Sequence, residues 1–207
     1  MKTHEGFDRL SVIYDLVVKL VFRRAIREAQ IQLIKELGDH RKWLILGGGT
    51  GWVLEEILKV HPKVEMTYVE ASQKMIDKAQ KRNINGQVNY ILGSVEQIPN
   101  GQNYDVVITA FFWDMFRTNT SLEMKHSIDK KVKNDALWLL ADFKNTDIWR
   151  QKGLMKMMYW FFRVTCRIEA SELPDFGQIF DKQKHKVLFQ KTFYHGMIES
   201  TLYKQSQ

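Results

Sequence analysis

Gly47, Gly48, Gly49 and Gly51 follow directly on the apolar run Leu44-Ile45-Leu46, and Val53, Leu54, Ile57 and Leu58 then repeat at helical spacing. This is the pattern of a buried parallel strand, a tight turn and a helix start. The missing Cβ atoms at Gly47, Gly49 and Gly51 let a ligand lie directly on the backbone. A turn of this kind early in an α/β domain is a site for a nucleotide or nucleoside. Glu70 stands about 20 residues further on, at the end of Val64-Glu65-Met66-Thr67-Tyr68-Val69, where a carboxylate can accept two hydrogen bonds from a ribose diol.

Two nucleotide chemistries are disfavoured by the turn itself. A dinucleotide fingerprint needs a third glycine at the sixth position, which here is Trp52, and an indole there crowds a pyrophosphate. No Gly-Lys-Ser/Thr follows, so the phosphate cradle of a nucleoside triphosphatase is absent. The G-x-G-x-G spacing resembles the first motif of the class I S-adenosylmethionine-dependent methyltransferases. Val88-Asn89-Tyr90-Ile91-Leu92 with Gly93-Ser94-Val95, and Tyr104 to Phe111 with its aromatic tip, resemble that superfamily's third and fourth motifs.

The resemblance implies S-adenosyl-L-methionine as cofactor, bound between the tips of the first and fourth strands. It implies contacts from Gly47, Gly48, Gly49, Gly51, Glu70, Ala71, Ser94, Val95 and Thr109. The opening Phe7-Asp8-Arg9-Leu10-Ser11-Val12-Ile13-Tyr14-Asp15 is similar to that of the ubiquinone/menaquinone biosynthesis C-methyltransferases, which would lay Tyr14 over the methionine carboxylate. Two positions depart from the superfamily. Ile45 stands where an acid often precedes the first glycine, and Ser94 replaces an aspartate that contacts the adenine amino group. A serine hydroxyl is shorter and uncharged. These departures motivate an alternative, a non-catalytic module that binds the cofactor without turnover.

Methyl transfer from a sulfonium is an in-line displacement, so most of the catalysis can come from orientation. A general base is needed where the acceptor must lose a proton. Asp114, at the fourth-strand tip, and His195, at a late turn, are the candidates. The run Leu154 to Phe162, rich in Met and aromatics, reads either as a packing helix or as a lid over a hydrophobic acceptor. The lid reading makes it one wall of the acceptor pocket, with Tyr14 and Phe111-Phe112-Trp113 opposite.

The elements that must carry these groups follow from the periodicity. Residues 7–37 read as two helical pieces, five strand–helix alternations end at Ala136–Asp142, and Val187–Tyr194 and Met197–Tyr203 read as a hairpin turning at His195-Gly196. The expected fold is α/β, a Rossmann-like seven-stranded, mostly parallel sheet with an antiparallel last strand and helices on both faces. One domain is expected across 1–207: a helical cap over 1–40, a cofactor-binding core over 41–145, a candidate lid over 150–171 and the hairpin over 186–205.

A single cysteine, Cys166, excludes an intrachain disulfide and suits a reducing cytoplasm. The six histidines lack ligand spacing, so no metal is expected. No export signal or transmembrane stretch is evident. The net charge of +7 is spread along the chain without a dense basic block. A small-molecule substrate is therefore expected ahead of nucleic acid, with an RNA or protein acceptor as alternative and contact with an anionic lipid surface left open.

Overall fold

The structure is a computed structural model of the 207-residue chain and describes residues 22–82, 84–166 and 168–206. Tyr14, the helical repeat before residue 22 and the side chain of Cys166 lie outside what it describes. The described elements are α1 (Arg23–Ile34), β1 (Lys42–Leu46), α2 (Trp52–Val60), β2 (Glu65–Glu70), α3 (Gln73–Gln80), β3 (Gln87–Leu92), β4 (Tyr104–Ala110), α4 (Thr118–Asp129), β5 (Val132–Phe143), α5 (Trp149–Cys166), the short α6 (Phe176–Ile179), β6 (His185–Phe193) and β7 (Ile198–Gln205).

The strands form one seven-stranded sheet in the order β3-β2-β1-β4-β5-β7-β6. The pairs from β3 through β5 are parallel, and β7 runs antiparallel to both β5 and β6. The expected architecture is the observed one. The central strand shows why. Trp43, Leu44, Ile45 and Leu46 are all buried, as a parallel strand covered on both faces requires. Trp43 and Ile45 pack towards Leu33, Leu54, Ile57 and Ala79 around α1, α2 and α3. Leu44 and Leu46 pack towards Ile128 and Ile179 around α4 and α6. Period-two alternation along one strand thus builds two separate cores.

A third core forms at one end of the sheet. Phe22, Ile26 and Ala29 of the first helix region meet Phe111, Phe143, Met155, Met158, Tyr159 and Ile198 there. It seats α5 over the carboxyl ends of β4 and β5. Ser200 fixes α1 against the sheet, its hydroxyl donating to the Ala29 carbonyl at 2.7 Å.

The boundaries differ from expectation in two places. β5 begins at Val132, four residues before the apolar run at Ala136, because Lys133, Asn134 and Asp135 are exposed and give no apolar signal. A register shift between Tyr104 and Val106 accommodates them. The hairpin turn spans Tyr194, His195 and Gly196, all with left-handed φ (47°, 54° and 86°).

Strand order reverses between β1 and β4, which lie side by side while their crossovers leave in opposite directions. In doubly wound sheets a ligand crevice opens at the carboxyl ends of the strands at this point.

Candidate functional site

A cavity of about 1350 Å³ opens at that crevice, lined by Gly47, Gly48, Gly49, Glu70, Ala71, Ser94, Val95, Phe111 and Phe112, among others, while Gly51 does not border it. It exceeds the volume typical of one small-molecule site, about 300–1,000 Å³. The turn is built tightly against the protein. A Cβ on Gly47, Gly48 or Gly51 would come within 2.9, 2.1 or 2.5 Å of Phe112, Tyr68 or Ala79. A side chain at any of these three would collide with the protein itself. At Gly49 the nearest atom to a Cβ would be Met75 Sδ, at 3.9 Å, and φ is +65°. Of the alternate glycines, Gly49 is therefore the one whose side-chain space belongs to the cavity.

Every peptide around Gly49 is tethered. Its N–H donates to Glu70 Oε2 at 2.9 Å, and its carbonyl accepts from the Tyr68 hydroxyl at 2.6 Å. Burial, with Glu70 adding repulsion, pushes the Tyr68 phenol well up, so it remains a donor. Arg82 donates from Nε to the Thr50 carbonyl at 2.6 Å and pairs with Glu55 at 2.7 Å. Glu70 Oε1 accepts from the Ser72 N–H at 2.9 Å, and Ser72 in turn caps α3 by accepting from Met75 N–H. The Glu70 carboxylate is thus oriented by two backbone donors while bordering the cavity. A carboxylate oxygen can accept more than one hydrogen bond.

At the tip of β3, Ser94 caps a short 3-10 turn. Its N–H donates to Gln97 Oε1 at 2.6 Å, and its hydroxyl lies 3.1 Å from the same oxygen. Ser94 borders the cavity with its hydroxyl already engaged in the cap. Trp52 lines the cavity too, with the Arg27 guanidinium 4.9 Å from its ring centroid.

Two residues expected at the site stand elsewhere. Thr109 is fully buried on the opposite face of β4, where its hydroxyl donates to the Leu139 carbonyl and accepts from Trp113 Nε1 at 3.0 Å. Strand alternation gives the cavity Ile108 and Ala110 instead. His195 is exposed on the hairpin turn and lines neither cavity; its carbonyl accepts from Gln151. Ile45 is buried in the sheet core and offers no acid.

Asp114 is placed where chemistry can use it. A second, smaller space of about 40 Å³ lies beyond Phe111 and Met115, lined by Asp114, Phe143, Met155, Met158, Tyr159, Phe162 and Ile168. Phe111 and Met115 border both spaces. Asp114 Oδ1 and the Tyr159 hydroxyl are buried with no hydrogen-bond partner among the described residues. Burial raises the Asp114 carboxyl to about 7. Asp142, at the end of β5, accepts from the Trp113 N–H at 3.2 Å and the Phe143 N–H at 2.8 Å, and burial together with Asp114 raises it as well. Like charges this deep cannot both ionise freely, so the pair holds a proton near neutrality.

The roof of this chamber is α5, but α5 does not line the main cavity; α1 and α4 do. Met158 faces the chamber, and Phe161 borders neither space. Among the described residues, α5 therefore meets the crevice through Phe111 and Met115 and is not a wall of it. Asp142 and Tyr159 were not singled out by sequence reasoning. Their one signal was an acid ending the fifth apolar run, which spacing alone cannot link to Asp114.

Residues 44–135 match a family described as a methyltransferase domain. Among curated proteins, the chain is 28% identical over 149 residues to a malonyl-[acyl-carrier protein] O-methyltransferase of Halalkalibacterium halodurans, covering 66% of this chain and 53% of that one. It is 30% identical over 140 residues to a demethylmenaquinone methyltransferase of Thermotoga maritima, covering 65% and 60%. The chain thus spans only part of the length of these relatives.

Among solved structures, the mitomycin 7-O-methyltransferase MmcR superposes with a TM-score of 0.68 at 16% identity, over 89% of this chain and 55% of that one. A chain of the complex between the Haloferax volcanii Trm112 methyltransferase activator and a methyltransferase gives 0.72 at 11% identity, over 100% and 98%. At such identities the likeness is one of fold.

Proposed function

Because this chain carries a class I S-adenosylmethionine-dependent methyltransferase domain, we propose that it methylates a small apolar acceptor that surrenders a proton on reaction. The residues present suit the donor. Glu70, buried and pre-oriented, would take the ribose hydroxyls, while Gly49 gives the backbone room that a side chain would fill. Ala71, Ser94 and Val95 would flank the nucleoside. When bound, the donor supplies an electrophilic methyl group.

The observation that carries the acceptor reading is the buried, unpartnered Asp114 Oδ1, which with the Tyr159 hydroxyl faces a chamber beside the crevice whose other walls are apolar. The aromatic tip, Phe111 and Phe112, would hold the acceptor's body against the donor and exclude water. Phe111 adopts a left-handed φ of 51° to present its ring there, and strain of this kind gathers at functional sites. Asp114 takes the proton of an acceptor hydroxyl or enol as the methyl is transferred. Burial keeps Asp114 from ionising at low pH and so poises it near the operating range, while Asp142 beside it is held by backbone donors.

Both relatives named above carry methyltransferase names, one for malonyl-[acyl-carrier protein] and one for demethylmenaquinone. Their acceptors belong to those proteins. They support a small-molecule or acyl acceptor for this chain over a polymer read by a charged surface.

The test is release of S-adenosylhomocysteine, followed by mass spectrometry, with a panel of naphthols, phenols, enols and acyl thioesters. The expected outcome is methylation of an apolar hydroxyl or enol, suppressed by Asp114→Asn. Binding of the cofactor with turnover of none of the panel would favour the non-catalytic module instead.

A further inference from the structure

Helix α5 has an inner face in the third core and an outer face that no described element covers. Trp149, Met157, Trp160 and Val164 are 75%, 58%, 66% and 64% exposed. At 3.6 residues per turn they fall, with Gly153, into one stripe about 22 Å long. Lys152, Lys156 and Arg163 run along one border of the stripe and Arg150 along the other, with the Arg150 guanidinium 5.3 Å from the Trp149 ring. The helix contains no aspartate or glutamate. Asp147, just before it, pairs with Lys152 at 3.3 Å.

Two exposed indoles in an apolar stripe are unusual for a solvated helix. The chemistry of the borders decides between partners. Indoles settle at the headgroup level of a bilayer, and long basic side chains beside them reach the lipid phosphates. A helix without acids, on a chain of net charge +7, is complementary to an anionic surface. Among the described residues no helix is long and apolar enough to cross a membrane, so the geometry is that of a helix lying in the interface.

We propose that the outer face of α5 docks on an anionic lipid surface, with Trp149 and Trp160 seated at the boundary between headgroups and acyl chains. The inner face of the same helix, through Met155, Met158 and Tyr159, roofs the small chamber. Docking therefore brings the end of the sheet that carries Phe111 and Asp114 against the bilayer, so that an apolar acceptor dissolved in lipid need not cross water. That delivery step rests on the methyl-transfer reading; the docking itself does not.

The experiment is co-sedimentation with sucrose-loaded vesicles of phosphatidylcholine, with and without phosphatidylglycerol, at low and high salt. Binding to the anionic vesicles should be at least about tenfold tighter and should weaken with salt. Each basic residue near the surface contributes about fivefold, so Lys156→Gln with Arg163→Gln should weaken binding about 25-fold. Trp149→Ser with Trp160→Ser should abolish it. Both residues are exposed, so circular dichroism and S-adenosylhomocysteine binding should match the parent. Equal binding to neutral and anionic vesicles, or binding untouched by the tryptophan changes, would overturn the proposal. So would a lipid-free dimer in sedimentation equilibrium that the same tryptophan changes dissolve, because the face would then belong to a second copy.

Discussion

The Asp114→Asn variant separates the cost of a buried carboxyl from its use. Burial raises this carboxyl from 3.8 to about 7. A group raised in the folded state stabilises fully below its unfolded value and loses that contribution as pH climbs through the folded one. A shift of this size corresponds to about 4 kcal/mol at full titration, of which about 2–3 kcal/mol falls between pH 5 and 8. Asparagine fills the same space and cannot ionise, and the charge that also raises Asp142 disappears with it. The variant should therefore gain on the parent as pH rises. In a domain of this size about 1 kcal/mol moves Tm by roughly 2–4 °C. The difference in Tm between variant and parent should grow by about 5–10 °C from pH 5 to pH 8, measured by differential scanning calorimetry. Methyl transfer should fall by about 10²–10⁴, the usual worth of a positioned base. In the parent, kcat/KM should rise with pH through about 7. A Tm difference that stays constant with pH would refute the reasoning, because the carboxyl would not then be titrating in the folded protein.

The remaining expectations concern the crevice. Gly49→Val should abolish cofactor binding in calorimetry, since a side chain at φ +65° is strained and enters cavity space; unchanged affinity would place the cofactor elsewhere. Thr109→Val should leave cofactor affinity intact while destabilising the fold by about 1–3 kcal/mol, because the Trp113 Nε1–H loses its buried acceptor; chemical denaturation reads this. His195→Ala should leave kcat/KM within about twofold of the parent, given that His195 is exposed away from both cavities.

The strands and the glycine turn were legible because their signals are local. A central strand buried on both faces must be a continuous apolar run, and Leu44-Ile45-Leu46 ahead of Gly47 could be little else. The Ser72 cap was legible for the same reason. What sequence could not supply was direction. Thr109 sits one residue from Ile108 and Ala110, and only the pleat decides that those two border the crevice while Thr109 turns to Trp113. His195 lay at the hairpin tip, where the fold leaves it facing solvent. The Asp114 and Asp142 pair is non-local, since it needs β4 and β5 side by side before the carboxyls meet. The run Leu154 to Phe162 reads from sequence as either a packing helix or a pocket wall; the inner face of α5 joins the third core and does not line the main cavity, a matter of packing that periodicity does not encode.

The central claim is that Glu70 and the glycine turn form a nucleoside site for the methyl donor. Isothermal titration of S-adenosylhomocysteine into the parent and into Glu70→Ala tests it most directly. Charge-assisted hydrogen bonds are worth about 1.5–3 kcal/mol each, so saturable binding at one site should weaken at least about tenfold in the variant. NAD should give no saturable heat with either. Equal affinity in parent and variant, or saturable binding of NAD to the parent, would contradict the account.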